Sequence, residues 1–159
     1  HRAEAGNITL AVDMTEPDAV IVADDMRVRQ VLFNLLSNAI GFSPKGGTVN
    51  LSAKMTETDA ELTVSDRGVG IPPGLQERMF ERFESRSQGS NHRGAGLGLA
   101  IVRSLVALHG GSITVDSEPG AGTTISVCLP REDLHLPRAL PRVVTSGEQL
   151  ALPFYAEAG

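Results

Sequence analysis

From Met26 to Ile40 the apolar residues Val28, Val31, Leu32, Leu35, Leu36, Ala39 and Ile40 recur at helical spacing. This pattern predicts an amphipathic helix, capped by Asp24 or Asp25 and stopped by Ser43-Pro44-Lys45-Gly46-Gly47. Upstream, Ile8-Thr9-Leu10-Ala11-Val12 alternates and predicts a strand, Glu16-Pro17-Asp18 a turn, and Val20-Ile21-Val22 a second short strand. Downstream, Val49, Leu51, Ala53 and Met55 alternate with polar residues, as do Leu62 and Val64. With Glu57-Thr58-Asp59 between them, they predict a hairpin whose second arm closes at Asp66. Ile71-Pro72-Pro73-Gly74 leads into a short helix carrying Leu75, Met79, Phe80 and Phe83. Glu84 to Arg93 is almost without apolar residues and is expected to be a mobile loop.

Leu97 to Leu108 predicts a second helix, capped by Gly110-Gly111. Ile113 and Val115 mark a strand, Pro119-Gly120-Ala121-Gly122 a turn, and Ile125, Val127 and Leu129 a final strand. Strands interleaved with helices imply an α+β class, a two-layer α/β sandwich with a mixed sheet and helices packed on one face. Residues 1–130 form the expected domain. Beyond Pro130, Pro137, Pro141 and Pro153 interrupt any period, so 131–159 is expected to be an extended or disordered tail.

Composition narrows the function. Hydrophobic content of 41% and charged content of 21% are those of an ordinary globular domain. A net charge of −5, with Lys45 and Lys54 the only lysines, argues against nucleic acid or an anionic membrane as partner. No apolar run is long enough to span a bilayer. Cys128 is the only cysteine, which excludes an internal disulfide and a cysteine metal site; it is expected to be a small buried residue in a strand. His1-Arg2-Ala3-Glu4 has neither an initiator Met nor a following apolar stretch, so the segment reads as a piece of a longer protein.

Three features carry chemistry. Gln30, Asn34 and Asn38 stand four apart and stack as one polar stripe beside the apolar face of the long helix. Such a stripe is either a solvated face or a source of carboxamide oxygens for Mg2+, which needs only one or two protein ligands. Asp66 ends a strand just before Gly68 and Gly70, which places a carboxylate over a turn that a ligand can approach. A carboxylate there is either a turn former or an acceptor for an exocyclic amine such as adenine N6. Gly94-Ala95-Gly96-Leu97-Gly98 runs into a helix whose free N–H groups suit phosphate. A dinucleotide fold is opposed by Leu99 at the third glycine position and by the polar loop before Gly94. No Gly-Lys-Ser/Thr exists, so a Walker loop is absent.

In this order the motifs resemble the ATP-binding catalytic domain of sensor histidine kinases, within the wider group of DNA gyrase B, the 90-kDa chaperone and MutL. Arg29 to Ile40 is similar to the N box, Asp66 to Ile71 to the G1 box, Met79 to Phe83 to the F box, and Gly94 to Ala100 to the G2 box. His109-Gly110-Gly111 and Gly120-Ala121-Gly122-Thr123-Thr124 match the usual ending, and the resemblance covers about Asn7 to Pro130. It implies a Bergerat-type ATP-binding fold that binds Mg-ATP. It also implies donation of the γ-phosphoryl to a His on a separate dimerisation domain, for relay to a response regulator. Asn38 would be the main Mg2+ ligand with Asn34 assisting, both counted as catalytic. Asp66 would bond adenine N6, Gly68 and Gly70 would shape the pocket, and Phe42 would lie against the base. Thr124 would sit behind Asp66. Gly94, Gly96 and Gly98 would hinge a lid over Glu84 to Arg93 and bring N–H groups to the phosphates. Ile71, Phe83 and Leu97 complete the nucleotide-binding set, with Arg86 and Arg93 as compensating cations.

Departures from the family pattern set an alternative beside this reading. Gly41 replaces a usual cation, and Glu84 and Ser85 follow Phe83 where an aromatic and Arg are usual. The alternative is a pseudokinase or docking module of the same fold that binds a response regulator or partner kinase. A serine kinase of the anti-sigma type ranks last. His1, His92, His109 and His135 read as surface or capping residues, which leaves the phosphoacceptor outside this chain. The expected location is cytoplasmic, whether or not the parent protein is anchored in a membrane.

Overall fold

The computed structural model describes residues 2–15, 20–76, 78–81, 98–131 and 143–145. A short helix α1 (Arg2–Gly6) precedes strand β1 (Thr9–Met14) and the long helix α2 (Asp25–Phe42). Then come the antiparallel hairpin β2 (Thr48–Met55) and β3 (Asp59–Asp66), a one-turn helix α3 (Pro73–Gln76) and a 3-10 turn, Arg78–Phe80. Helix α4 (Gly98–Leu108) leads into the hairpin of β4 (Ser112–Glu118) and β5 (Gly122–Pro130), and β6 (Val143–Thr145) follows. The strands lie in the order β1-β2-β3-β5-β4-β6. The outer pairs β1–β2 and β4–β6 are parallel and the rest antiparallel, so the sheet is mixed, as expected.

The long helix forms where the pattern places it and extends two residues further, through Gly41 and Phe42. Asp24 is its N-cap, in extended conformation, and accepts the Arg27 N–H at 3.1 Å. At the other end Ser43 donates to the Ala39 carbonyl through both its N–H (3.0 Å) and its hydroxyl (2.7 Å), and Pro44 ends the run. Val31, Leu35 and Ala39, four apart, are its buried stripe.

Strand parity sets the core. Val64, Ile125 and Val115 stand in register across the sheet, as do Val127 and Ile113, and with Val49 in the same phase of β2 all are buried beneath α2 and α4 with Val102, Leu105 and Val106. Phe80 is fully buried in the same core, and its truncation to Ala costs about 3–5 kcal/mol. The alternate positions Ser52, Thr63, Ser126 and Thr114 form a hydroxyl row on the other face, with Thr63 Oγ1 and Ser126 Oγ 2.7 Å apart. Both helices therefore cover one face only.

Four expectations need correction. Val20-Ile21-Val22 is not a strand; Val20 and Val22 are exposed, and the run leads into the Asp24 cap. A three-residue run with no alternation has no buried face to pin its register. The helix expected after Gly74 is broken into α3 and the 3-10 turn, and Phe83 lies outside the described residues. Cys128 is only half-buried, because it has the phase of Ser126 and sits between Glu61 and Ser112 on the outer face. Desolvation, followed by the negative charges of Glu61 and Asp59, pushes its thiol pKa up. Past Pro130, where no regular structure was expected, Val143–Thr145 adds to the β4 edge in parallel.

Candidate functional site

The Asp66 turn closes over two other parts of the chain. Asp66 Oδ1 accepts the Gly68 N–H at 2.7 Å, and the Thr123 backbone also donates to this carboxylate. Burial nevertheless dominates and raises the Asp66 pKa, with the two hydrogen bonds opposing the shift. Gly68 lies against the Phe42 carbonyl at the end of α2, and a side chain there would collide with that backbone. Gly70 adopts a φ of +66° against the Glu118 carbonyl, a position closed to any Cβ. The Gly120 N–H donates to Val69 O at 2.8 Å, which ties the turn to the β4–β5 hairpin. The result is a half-buried carboxylate on a rigid turn between α2 and the sheet.

The amide stripe of α2 approaches the start of α4. A Cβ on Gly98 would lie 3.6 Å from Asn34 Oδ1, in ordinary van der Waals contact, so the carboxamide sits beside the helix start. Asn34 Nδ2 is buried and has no hydrogen-bond partner among the described residues. An unpartnered buried amide costs about 1–3 kcal/mol, the signature of a side chain placed for something other than stability. Its hard oxygen suits Mg2+, and so does that of Asn38 one turn on. Among the described residues no group of three His, Cys, Asp or Glu side chains could hold a metal on its own. That donor set fits an ion taking most of its ligands from phosphate and water, so the residues present fit Mg-ATP.

Gln30, Asn34 and Asn38 are partly buried on α2, and Asp66, Gly68, Gly70 and Ile71 form one turn beside its end. Phe42 brings its backbone to that turn, while its side chain is largely exposed. Thr124 is not the residue behind Asp66. The register puts Thr123 opposite Asp66, and Thr124 opposite Ser65 and Asp116, because Thr123 shares the phase of core-facing Ile125. Phe83, Arg86, Arg93, Gly94, Gly96 and Leu97 lie outside the described residues, as does the expected lid.

Two buried polar residues were missed, Gln76 and Ser117. The signal for Ser117 was available: it follows Ile113 and Val115 in the core phase of β4, where alternation calls for an apolar residue. A cavity of about 430 Å3 lined by Val22, Ala23, Asp24, Arg27, Leu108 and His109 lies at the other end of α2 and shares no residue with this site.

Known proteins resemble this chain in sequence and fold. The family model described as "Histidine kinase-, DNA gyrase B-, and HSP90-like ATPase" matches residues 23–133. The Sensor protein DivL of Caulobacter vibrioides is 44% identical over 128 residues, 80% of this chain but 16% of DivL, so the chain spans a small part of that relative. The mycobacterial sensor histidine kinase MprB superposes with a TM-score of 0.72 at 32% identity, over 84% of this chain and 90% of that one. Full-length ShkA in complex with AMPPNP superposes with a TM-score of 0.73 at 35% identity, over 86% of this chain and 28% of that one. Because the matched stretch begins just before the α2 cap and ends past β5, the amide helix and the glycine turn both fall inside it, and the chain belongs to the histidine kinase-, DNA gyrase B- and HSP90-like ATPase family.

Proposed function

We propose that this chain is the catalytic ATP-binding domain of a two-component sensor histidine kinase. It donates the γ-phosphoryl of Mg-ATP to a His on a separate dimerisation domain, for relay to a response regulator. The observation that carries the reading is the Asn34 carboxamide beside the start of α4, its buried Nδ2 without a partner among the described residues, with the Asp66 turn at the C-terminal end of the same helix. The middle of α2 suits a metal-bound phosphate and its C-terminal end an adenine.

In this reading Asp66 accepts the N6 amine of adenine. Guanine is rejected because its six-position carbonyl would face the carboxylate. Gly68, Gly70 and Ile71 present backbone to the base. Asn38, assisted by Asn34, holds Mg2+, which when bound neutralises phosphate charge. The domain contributes positioning and charge stabilisation, with no covalent step of its own. Gly98 and the N-terminal turn of α4 point N–H groups at the phosphates.

Calorimetric titration of the chain with Mg-ATP, with GTP and metal-free ATP as controls, tests the proposal. Magnesium-dependent binding that prefers ATP is expected. A folded sample that binds none of the three overturns it and favours a docking module of the same fold.

A further inference from the structure

We infer that Ser117 and Gln76 form a buried latch that holds the Gly68–Ile71 turn in its adenine-accepting shape, which makes them positioning residues; this rests on the function proposed above. The argument begins with parity. Ile113, Val115 and Ser117 occupy the core phase of β4, yet the third is a serine, 5% exposed. Gln76, on α3, is 2% exposed. Polar groups so buried need partners, and the Ser117 hydroxyl and the Gln76 amide nitrogen find theirs at one turn.

The Ser117 hydroxyl has one hydrogen and two lone pairs, and all three are used. Its hydrogen goes to the Gly122 carbonyl at 2.8 Å. It accepts the Ile71 N–H at 2.8 Å. Thr123 Oγ1 is 3.0 Å away, and with the serine proton committed to Gly122, Thr123 is the donor in that pair. Gln76 Nε2 has two hydrogens, and both are used as well. One goes to the Ile71 carbonyl at 3.0 Å and the other to the Ser117 carbonyl at 2.8 Å.

Ile71 is thus held at its N–H by Ser117 and at its carbonyl by Gln76. The turn from Asp66 to Ile71 is anchored at its start by Gly68 on Asp66, in its middle by Gly120 on Val69, and at its end by the latch. Ser117 also contacts Thr123, whose backbone donates to Asp66, so the latch reaches the recognition carboxylate from two directions. Simple packing would be served by an apolar side chain at both positions. Two side chains that meet all the bonding demands of one turn residue fit a role in setting the shape of that turn.

The test uses the 159-residue chain with three variants, Ser117→Ala, Gln76→Met and the conservative Ser117→Thr. Amide hydrogen exchange of Gly68 and Ile71, calorimetric affinity for Mg-ATP and GTP, and thermal unfolding are measured for each. Ser117→Ala and Gln76→Met are each expected to speed Ile71 exchange on the order of tenfold, the consequence of orphaning a buried polar group. Mg-ATP affinity falls by about the same factor and the preference for ATP over GTP narrows, while Ser117→Thr restores both. If Ser117→Ala does not fold, Gln76→Met decides by the same readouts. A wild-type chain that binds Mg-ATP, with variants that match its affinity, selectivity and Ile71 exchange, overturns the latch even if the variants melt earlier. A wild-type chain that binds no ATP overturns the proposed function itself, and the positioning role falls with it.

Discussion

Replacing Asp66 by Asn exchanges one carboxylate oxygen for an NH2 group at nearly constant volume. The remaining oxygen can still accept the Gly68 N–H, now 2.7 Å from Oδ1, so the turn keeps its first anchor. Recognition of adenine does not survive. A hydrogen bond from N6 to a charged acceptor contributes about 1.5–3 kcal/mol, and setting a donor against that amine adds a desolvation cost of about 1–3 kcal/mol. Even the low end, about 2.5 kcal/mol, weakens Mg-ATP binding roughly sixtyfold. GTP should not suffer equally, because the new amide can donate to the guanine carbonyl. Stability should move the other way. The Asp66 pKa is raised, with burial the largest cause, so the native state holds this proton more tightly than the unfolded chain does. Stability therefore falls as pH rises from about 4 through the higher folded value, and stays lowered above it. The Asn variant lacks that step, so its melting temperature relative to wild type should improve across the same window. Paired calorimetric titrations with ATP and GTP, and thermal unfolding between pH 4 and 8, measure both effects. A variant with intact unfolding and an ATP affinity within threefold of wild type refutes the assignment of Asp66.

Other residues give independent checks. Asn38→Ala should abolish magnesium-dependent ATP binding and leave the unfolding curve of the free protein nearly unchanged; equal Mg-ATP affinity would remove Asn38 from the metal site. Gly70→Ala should lower stability by more than about 1–2 kcal/mol, the cost of left-handed backbone alone, since the added Cβ also meets the Glu118 carbonyl; chemical denaturation measures it. Cys128, with its thiol pKa raised by burial and nearby carboxylates, should react with a thiol reagent more slowly at neutral pH than in the unfolded chain. Equal rates would contradict that environment.

Local pattern was enough for the parts that depend on near neighbours. The apolar spacing from Val28 to Ile40 predicted α2, and the alternation from Val49 to Val64 predicted the β2–β3 hairpin. Asp66 followed by glycines predicted a turn that ends a strand, and Gly110-Gly111 predicted the end of α4, where Gly111 N–H reaches the Val106 carbonyl at 2.9 Å. Each of these follows from helical or strand periodicity and from turn chemistry within a few residues.

What only the tertiary structure decided is which distant residues meet. Thr123, not Thr124, stands beside Asp66, and Cys128 faces outward, because strand register is set by pairing with β3 and β4 and a one-residue error reverses every face. Val143–Thr145 becomes a strand only because β4 offers an edge. Gln76 and Ser117 are 41 residues apart and become a unit only when α3 folds against β4. The amino-acid sequence by itself determined the elements and the kinds of chemistry they carry. The fold determined the partners, because register and burial are properties of pairs of segments brought together, and no local window contains both members.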